Sequence, residues 1–165
     1  MSATPVRNTT RFSNPSSSAV LTRSELESRI AVLLGGRAAE EVVFGEISTG
    51  AHNDLERATE MARLMVMQYG MSDKLGPMTF GGGQQALFLK GSGLPQERDY
   101  SEETARAIDE ETRAIIDGIY DRTRALTASR KDVLVVAAAE LKTKETLEGA
   151  RLRELLAGAP VEEKA

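Results

Sequence analysis

The sequence contains no cysteine, no tryptophan and a single histidine, His52. Without cysteine there is no disulfide framework, no Cys-X-X-Cys redox site and no thiolate-bound zinc. With one histidine, the metalloprotease signature H-E-x-x-H cannot be written anywhere in the 165 residues. No G-x-x-x-x-G-K-[ST] run is present, which argues against an ATPase activity of this chain. Apolar runs are short: none approaches the ~20 residues of a membrane-spanning helix, and no signal-peptide core lies near the start. Neither sign of charge dominates, since 21 Lys and Arg stand against 25 Asp and Glu for a formal net charge of −4. The two signs are interspersed, so the clustered basic face needed for nucleic acid is lacking.

What is present suits one domain, a length able to bury roughly 70% of the surface that the unfolded chain exposes. Residues 1–20 are rich in Ser, Thr, Asn and Pro and contain no acidic residue, so they are expected to form a disordered or non-native leader. Thr22-Arg23-Ser24-Glu25 is a capping box and marks a helix start. Leu26, Ile30, Leu33 and Leu34 recur at helical spacing, carrying the helix to about Phe44 with Gly45 as its stop. Gly35 and Gly36 inside that helix each cost on the order of 1 kcal/mol relative to alanine, and another backbone packed close by would account for them. A second helix follows, with Thr49 as candidate cap, an apolar face of Leu55, Ala58, Ala62, Met65, Val66 and Tyr69, and Gly70 as its end.

Residues 71–100 form a long, mostly irregular loop with room for one small hairpin, its apolar patches at Met78-Thr79-Phe80 and Leu87-Phe88-Leu89. Ser101 caps a third helix whose seam is Ala105, Ile108, Thr112, Ile115, Ile119, Arg122 and Leu126, with Glu102/Arg106 and Asp109/Arg113 paired on its outer face. A fourth helix spans about Lys131 to Lys142 with Leu134, Val135, Ala138 and Leu141. A short fifth covers about Gly149 to Leu156 with Leu152, Leu155 and Leu156, and residues 158–165 are expected to be a flexible tail. The class is therefore all-α, residues 21–157 forming the domain, and a long helical hairpin is its expected core.

Spacing alone singles out few chemical groups. Gly81-Gly82-Gly83-Gln84-Gln85-Ala86 matches G-x-G-x-x-A formally, but neither a strand before it nor a helix after it supports a dinucleotide loop. His52 with Asp54 and Ser48 resembles a relay in composition only, because residues two apart on a helix point about 200° from each other. By spacing, Asp54 is a first-turn carboxylate facing the helix dipole, His52 a surface residue, and Glu40 and Glu41 ordinary helix-surface acids.

The order of short motifs carries more information. Ile30-Ala31-Val32-Leu33-Leu34-Gly35-Gly36-Arg37-Ala38-Ala39-Glu40-Glu41, then Phe44-Gly45, Ser48-Thr49-Gly50-Ala51 and Asn53-Asp54-Leu55-Glu56-Arg57-Ala58-Thr59, resembles the peptidase domain of FtsH-type ATP-dependent zinc metalloproteases. Tyr69-Gly70-Met71-Ser72, Lys74-Leu75-Gly76-Pro77, Phe88-Leu89 and Tyr100-Ser101-Glu102-Glu103-Thr104-Ala105 continue the resemblance, which extends to about Leu156. It implies a mostly helical peptidase domain, zinc as the metal and ATP consumed by a separate module. It also implies a hexameric homo-oligomer acting on unfolded and membrane proteins, on the cytoplasmic side of a bacterial membrane or inside an organelle. Matched residue by residue, it makes Asp54 the third zinc ligand and places Glu40 near the metal.

The chain departs from the family where the resemblance would place H-E-x-x-H, because Met1 to Leu21 contain neither histidine nor glutamate. Two ligands and the general base are then missing together, and His52 stands where the family has no ligand. Two expectations follow: a C-terminal portion of a zinc endopeptidase that is inactive as this isolated chain, or a non-catalytic helical scaffold or adaptor that joins FtsH-type partner chains.

Overall fold

Thr22 opens the first helix in the computed structural model, which describes residues 20–81 and 99–158. Its hydroxyl accepts from the Glu25 N–H, while the Glu25 carboxylate accepts from the Thr22 N–H at 2.7 Å, closing the capping box. From there α1 runs Arg23–Phe44 without a break through Gly35 and Gly36, and Gly45 ends it in the left-handed conformation at φ 71°. A 3₁₀ turn, Thr49–Ala51, leads directly into α2, His52–Met67. Ser101 caps α3, Glu102–Ser129, by accepting from the Thr104 N–H. After Arg130, α4 spans Lys131–Lys144, and α5 spans Gly149–Gly158. Among the described residues there is no strand, only an isolated bridge between Ser72 and Gly76. The chain is all-α, as its patterning predicts.

The core lies where α1, α2 and α3 meet. Leu26, Ile30 and Leu34 of α1 pack with Ala58, Ala62 and Met65 of α2 and Ile119 of α3, all buried. The small Ala58 and Ala62 let α2 approach closely, while Ile30, Leu34 and Met65 fill the space. Ion pairs ring this bundle: Arg63 of α2 meets Asp109 of α3 at 2.8 Å, and Arg122 of α3 meets Glu27 of α1 at 2.9 Å.

Several expectations are corrected. The α3–α4 pair follows in sequence as a hairpin would, yet it is not the core, since α4 and α5 contain no buried residue. Gly35 and Gly36 have no packed backbone beside them, because a Cβ added at either would meet nothing within 4 Å. Tyr69 is half exposed and off the apolar face. The α3 seam ends near Ile119: Leu126 is 64% exposed and Arg122 is at the surface, where it pairs with Glu27 of α1. Asp109 turns to Arg63 of α2 in place of Arg113 on its own helix. In the described part of the long loop the small hairpin reduces to the Ser72–Gly76 bridge, and Leu87-Phe88-Leu89 lies outside the described residues. So do the expected leader, apart from Val20, and the tail beyond Gly158.

Both described ends of that loop are fastened to each other. The Phe80 N–H donates to the Met67 carbonyl at 2.8 Å, Phe80 and Tyr100 meet edge to face with centroids 6.1 Å apart, and the Gly81 N–H donates to the Asp99 carboxylate at 3.1 Å. The start of the loop is anchored on α3 by Ser72, whose hydroxyl donates to Glu111 at 2.7 Å and accepts from the Leu75 N–H at 3.0 Å.

Candidate functional site

The turn between α1 and α2 gathers the residues singled out from the sequence. Glu40 lies in the last turns of α1 and reaches over the connection, accepting the Ser48 N–H at 3.0 Å on one carboxylate oxygen and the Ser48 hydroxyl at 2.8 Å on the other. The Ser48 hydroxyl oxygen in turn accepts from the Gly50 N–H at 3.1 Å, shaping the 3₁₀ turn. The backbone N–H of Ser48, and then its hydroxyl, hold the Glu40 carboxyl below the usual carboxylate range. Gly50 fits because a Cβ there would stand 3.2 Å from the Ser48 hydroxyl oxygen. The turn is therefore capped by Ser48 and not Thr49, and α2, with Ala51 as its N-cap residue, has no side-chain cap of its own. The Ser-x-Gly spacing of a serine-capped turn is the signal that marks it.

Asp54 falls in the first turn of α2, where its charge complements the positive end of the helix. Its side chain is half-buried and has no hydrogen-bond or ion-pair partner among the described residues. His52 begins the same helix but points elsewhere: it is exposed and its Nε2 lies 3.5 Å from Glu56, one turn on. A Ser48–His52–Asp54 relay is not formed, since Ser48 is engaged by Glu40 and His52 by Glu56.

Among the described residues, no three His, Asp or Glu side chains gather as a metal site would require. A zinc site needs three protein donors, and Asp54 offers one carboxylate with no imidazole beside it. The described residues thus do not fit zinc by themselves.

On the next position of α1, Glu41 faces the other way. Its carboxylate accepts from the Tyr120 hydroxyl and, at 3.1 Å, from Arg124, both on α3. Tyr120 first and Arg124 second hold the Glu41 carboxyl below its ordinary range, while partial burial and then that carboxylate push the Tyr120 hydroxyl up. Spacing alone reads Glu41 as an ordinary surface acid and gives no sign of this pairing, which joins residues 79 and 83 positions apart.

A second feature shares no residue with this turn. An open apolar groove runs between the end of α3, α4 and α5, lined by Leu126, Val133, Leu134, Ala137, Leu152 and Leu156. No helix of the described residues is long and apolar enough to cross a membrane.

The sequence is similar to known proteins over most of its length. The model of peptidase family M41 matches residues 8–155. The ATP-dependent zinc metalloprotease FtsH of Kosmotoga olearia is 50% identical over 137 residues, covering 83% of this chain and 21% of that protein. The protein of the same name from Thermotoga maritima is 47% identical over 137 residues, covering 83% of this chain and 22% of that protein. The one from Bacillus subtilis is 44% identical over 135 residues, covering 82% and 21%. The chain spans about a fifth of the length of these relatives.

Proposed function

Because the chain belongs to peptidase family M41, we propose that it is a portion of the peptidase domain of an ATP-dependent zinc metalloendopeptidase, in which Asp54 supplies one carboxylate to the metal. Glu40 stands beside that centre and fixes the turn from which the Asp54 helix starts. The two imidazoles come from outside these 165 residues, which by themselves do not hydrolyse protein. The complete protein degrades unfolded and membrane proteins at the expense of ATP consumed in another module. It works on the cytoplasmic side of a bacterial membrane or inside an organelle.

One observation carries the assignment of Asp54. Its carboxylate is unpartnered among the described residues, whereas the carboxylates of Glu40 and Glu41, on residues of the same partial burial, are both occupied. Of the three, Asp54 is the carboxylate with no donor already on it among the described residues, so a cation taken there displaces no hydrogen bond. Helix-dipole complementation alone is satisfied by a fully exposed first-turn acid.

Two measurements test this. After incubation with zinc and gel filtration, the chain is expected to retain far less than one equivalent of metal and to leave casein intact; chelator-sensitive hydrolysis would overturn the inactivity. In a full-length relative that contains H-E-x-x-H, the aspartate matching Asp54 changed to asparagine is expected to lose bound zinc, and full retention would refute the ligand role.

We propose further that copies of the chain associate with one another through the apolar groove of α3, α4 and α5. Leu126, Leu152 and Leu156 are each more than a third exposed there, and α4 and α5 have no buried residue to hold them otherwise.

A further inference from the structure

The last buried residue of α1 is Ala38. From Ala39 to Phe44 nothing on the helix is buried, Phe44 is 75% exposed, and Ile47 beyond it is half exposed. The C-terminal turns of α1 therefore add no residue to the buried core, although the candidate site hangs from them and Val42 lies beside Ala125 and Ala128 of α3. These turns are seated by polar contacts from the next elements: Tyr120 and Arg124 of α3 on the Glu41 carboxylate, and the Lys131 ammonium at the start of α4 on the Val42 carbonyl at 3.0 Å.

Glu40 and Glu41 are adjacent, so their side chains leave the helix about 100° apart and cannot serve the same neighbour. Glu40 holds a residue eight positions along its own chain, a contact that sets the shape of the turn but not where the turn lies on the bundle. Among the described residues Glu41 ties this helical turn to the core, because the Tyr120 ring packs against the buried cluster while its hydroxyl reaches the carboxylate, with Arg37 one turn earlier close to the same hydroxyl. Hydrogen bonds to an ionised group are roughly twice as strong as neutral ones, which suits Glu41 to this task.

We propose that Glu41 is a positioning residue: held by Tyr120 and Arg124, it fastens the end of α1 to α3 and so lets Glu40 keep the Ser48–Ala51 turn, and the start of the Asp54 helix, in place. Its bearing on a metal rests on the assignment of Asp54 made above; the coupling between Glu41 and the turn does not.

The test is made on the chain itself, without metal, by nuclear magnetic resonance. Tyr120→Phe keeps the packed ring and removes one donor, and Tyr120→Phe/Arg124→Gln removes both donors and leaves Glu41 in place. The expected result is that the Glu40 carboxyl, followed through its own signal and the Ser48 amide, titrates closer to the ordinary carboxylate range. The Ser48 amide also exchanges faster, more so in the double variant, while the amides of Ile30 and Ala62 keep their protection. Arg124→Lys, which retains a cation at that place, is expected to behave like the parent. A Glu40 titration and Ser48 amide unchanged in Tyr120→Phe and in the double variant would overturn the proposal. So would equal loosening of Ile30, Ala62 and Ser48, which would make the contact one of general stability. If the double variant does not fold, the single variant decides. A chain that passes this test while Asp54 fails the zinc test keeps the clamp and loses only its role toward the metal.

Discussion

Gly36 and Gly70 are the same residue with opposite consequences. A Cβ at Gly36 would enter open space on a regular helix, so Gly36→Ala is expected to raise stability by about 0.5–1 kcal/mol through helix propensity. Gly70 has φ 58° and a Cβ there would come within 3.0 Å of the Pro77 Cα; Gly70→Ala is expected to lower stability by about 1–3 kcal/mol. Urea denaturation of the two variants checks both signs. The sequence marks Gly70 as the end of an apolar helical run, but the helix stops at Met67 with Gln68 as its cap, and Gly70 makes the left-handed turn just beyond. The sequence cannot say whether a glycine pair inside a helix faces a neighbour or solvent, because that depends on which side the partner helices occupy. Asp54 is a similar case at the site, since helical spacing makes it a first-turn acid and only the surrounding motif order gives it a metal.

Helix ends were readable because they depend on local chemistry: the box at Thr22 and Glu25, Gly45 and Ser101 all act within one turn of their own positions. The extent of a buried seam is not local. Ile108, Thr112 and Ile119 are buried on α3, but Leu126 continues the same spacing into solvent, although α1 still reaches Arg124 and Lys131 on either side of it. Periodicity identifies a face without telling how far along it the burial extends. Contacts between distant elements were silent as well, and the α4–α5 link is one of them. Arg151 of α5 contacts Glu140 of α4 at 2.6 Å, and this bond, ahead of Lys144, brings the Glu140 carboxyl from its ordinary 4.5 down to about 2. The folded arrangement thus favours the ionised form. Its contribution is complete above about pH 4.5 and is lost as the pH falls through that window toward about 2. Acidification is accordingly expected to release α5 from α4 over that range, with amide signals of α5 reporting the change; α5 signals unchanged down to pH 2 would contradict it.

For the whole molecule, the buried core cluster lies in the α1–α2–α3 bundle, and the α4–α5 arm adds nothing to it. An arm without buried residues needs a cover, because short helices in water are marginal on their own. Light scattering at micromolar concentrations is expected to give a mass above 17.8 kDa, decreasing on dilution and in Leu152→Glu/Leu156→Glu; a strictly monomeric mass throughout would remove the association proposal. The described ends of the long loop have a different consequence, one for chain design. Gly81 is bonded to Asp99 and Phe80 to Met67 and Tyr100, so the path between those anchors is a closed circuit as far as the bundle is concerned. The Gly81 nitrogen and the Asp99 carboxylate are 3.1 Å apart, so a short bridge between residues 81 and 99 would close the same circuit.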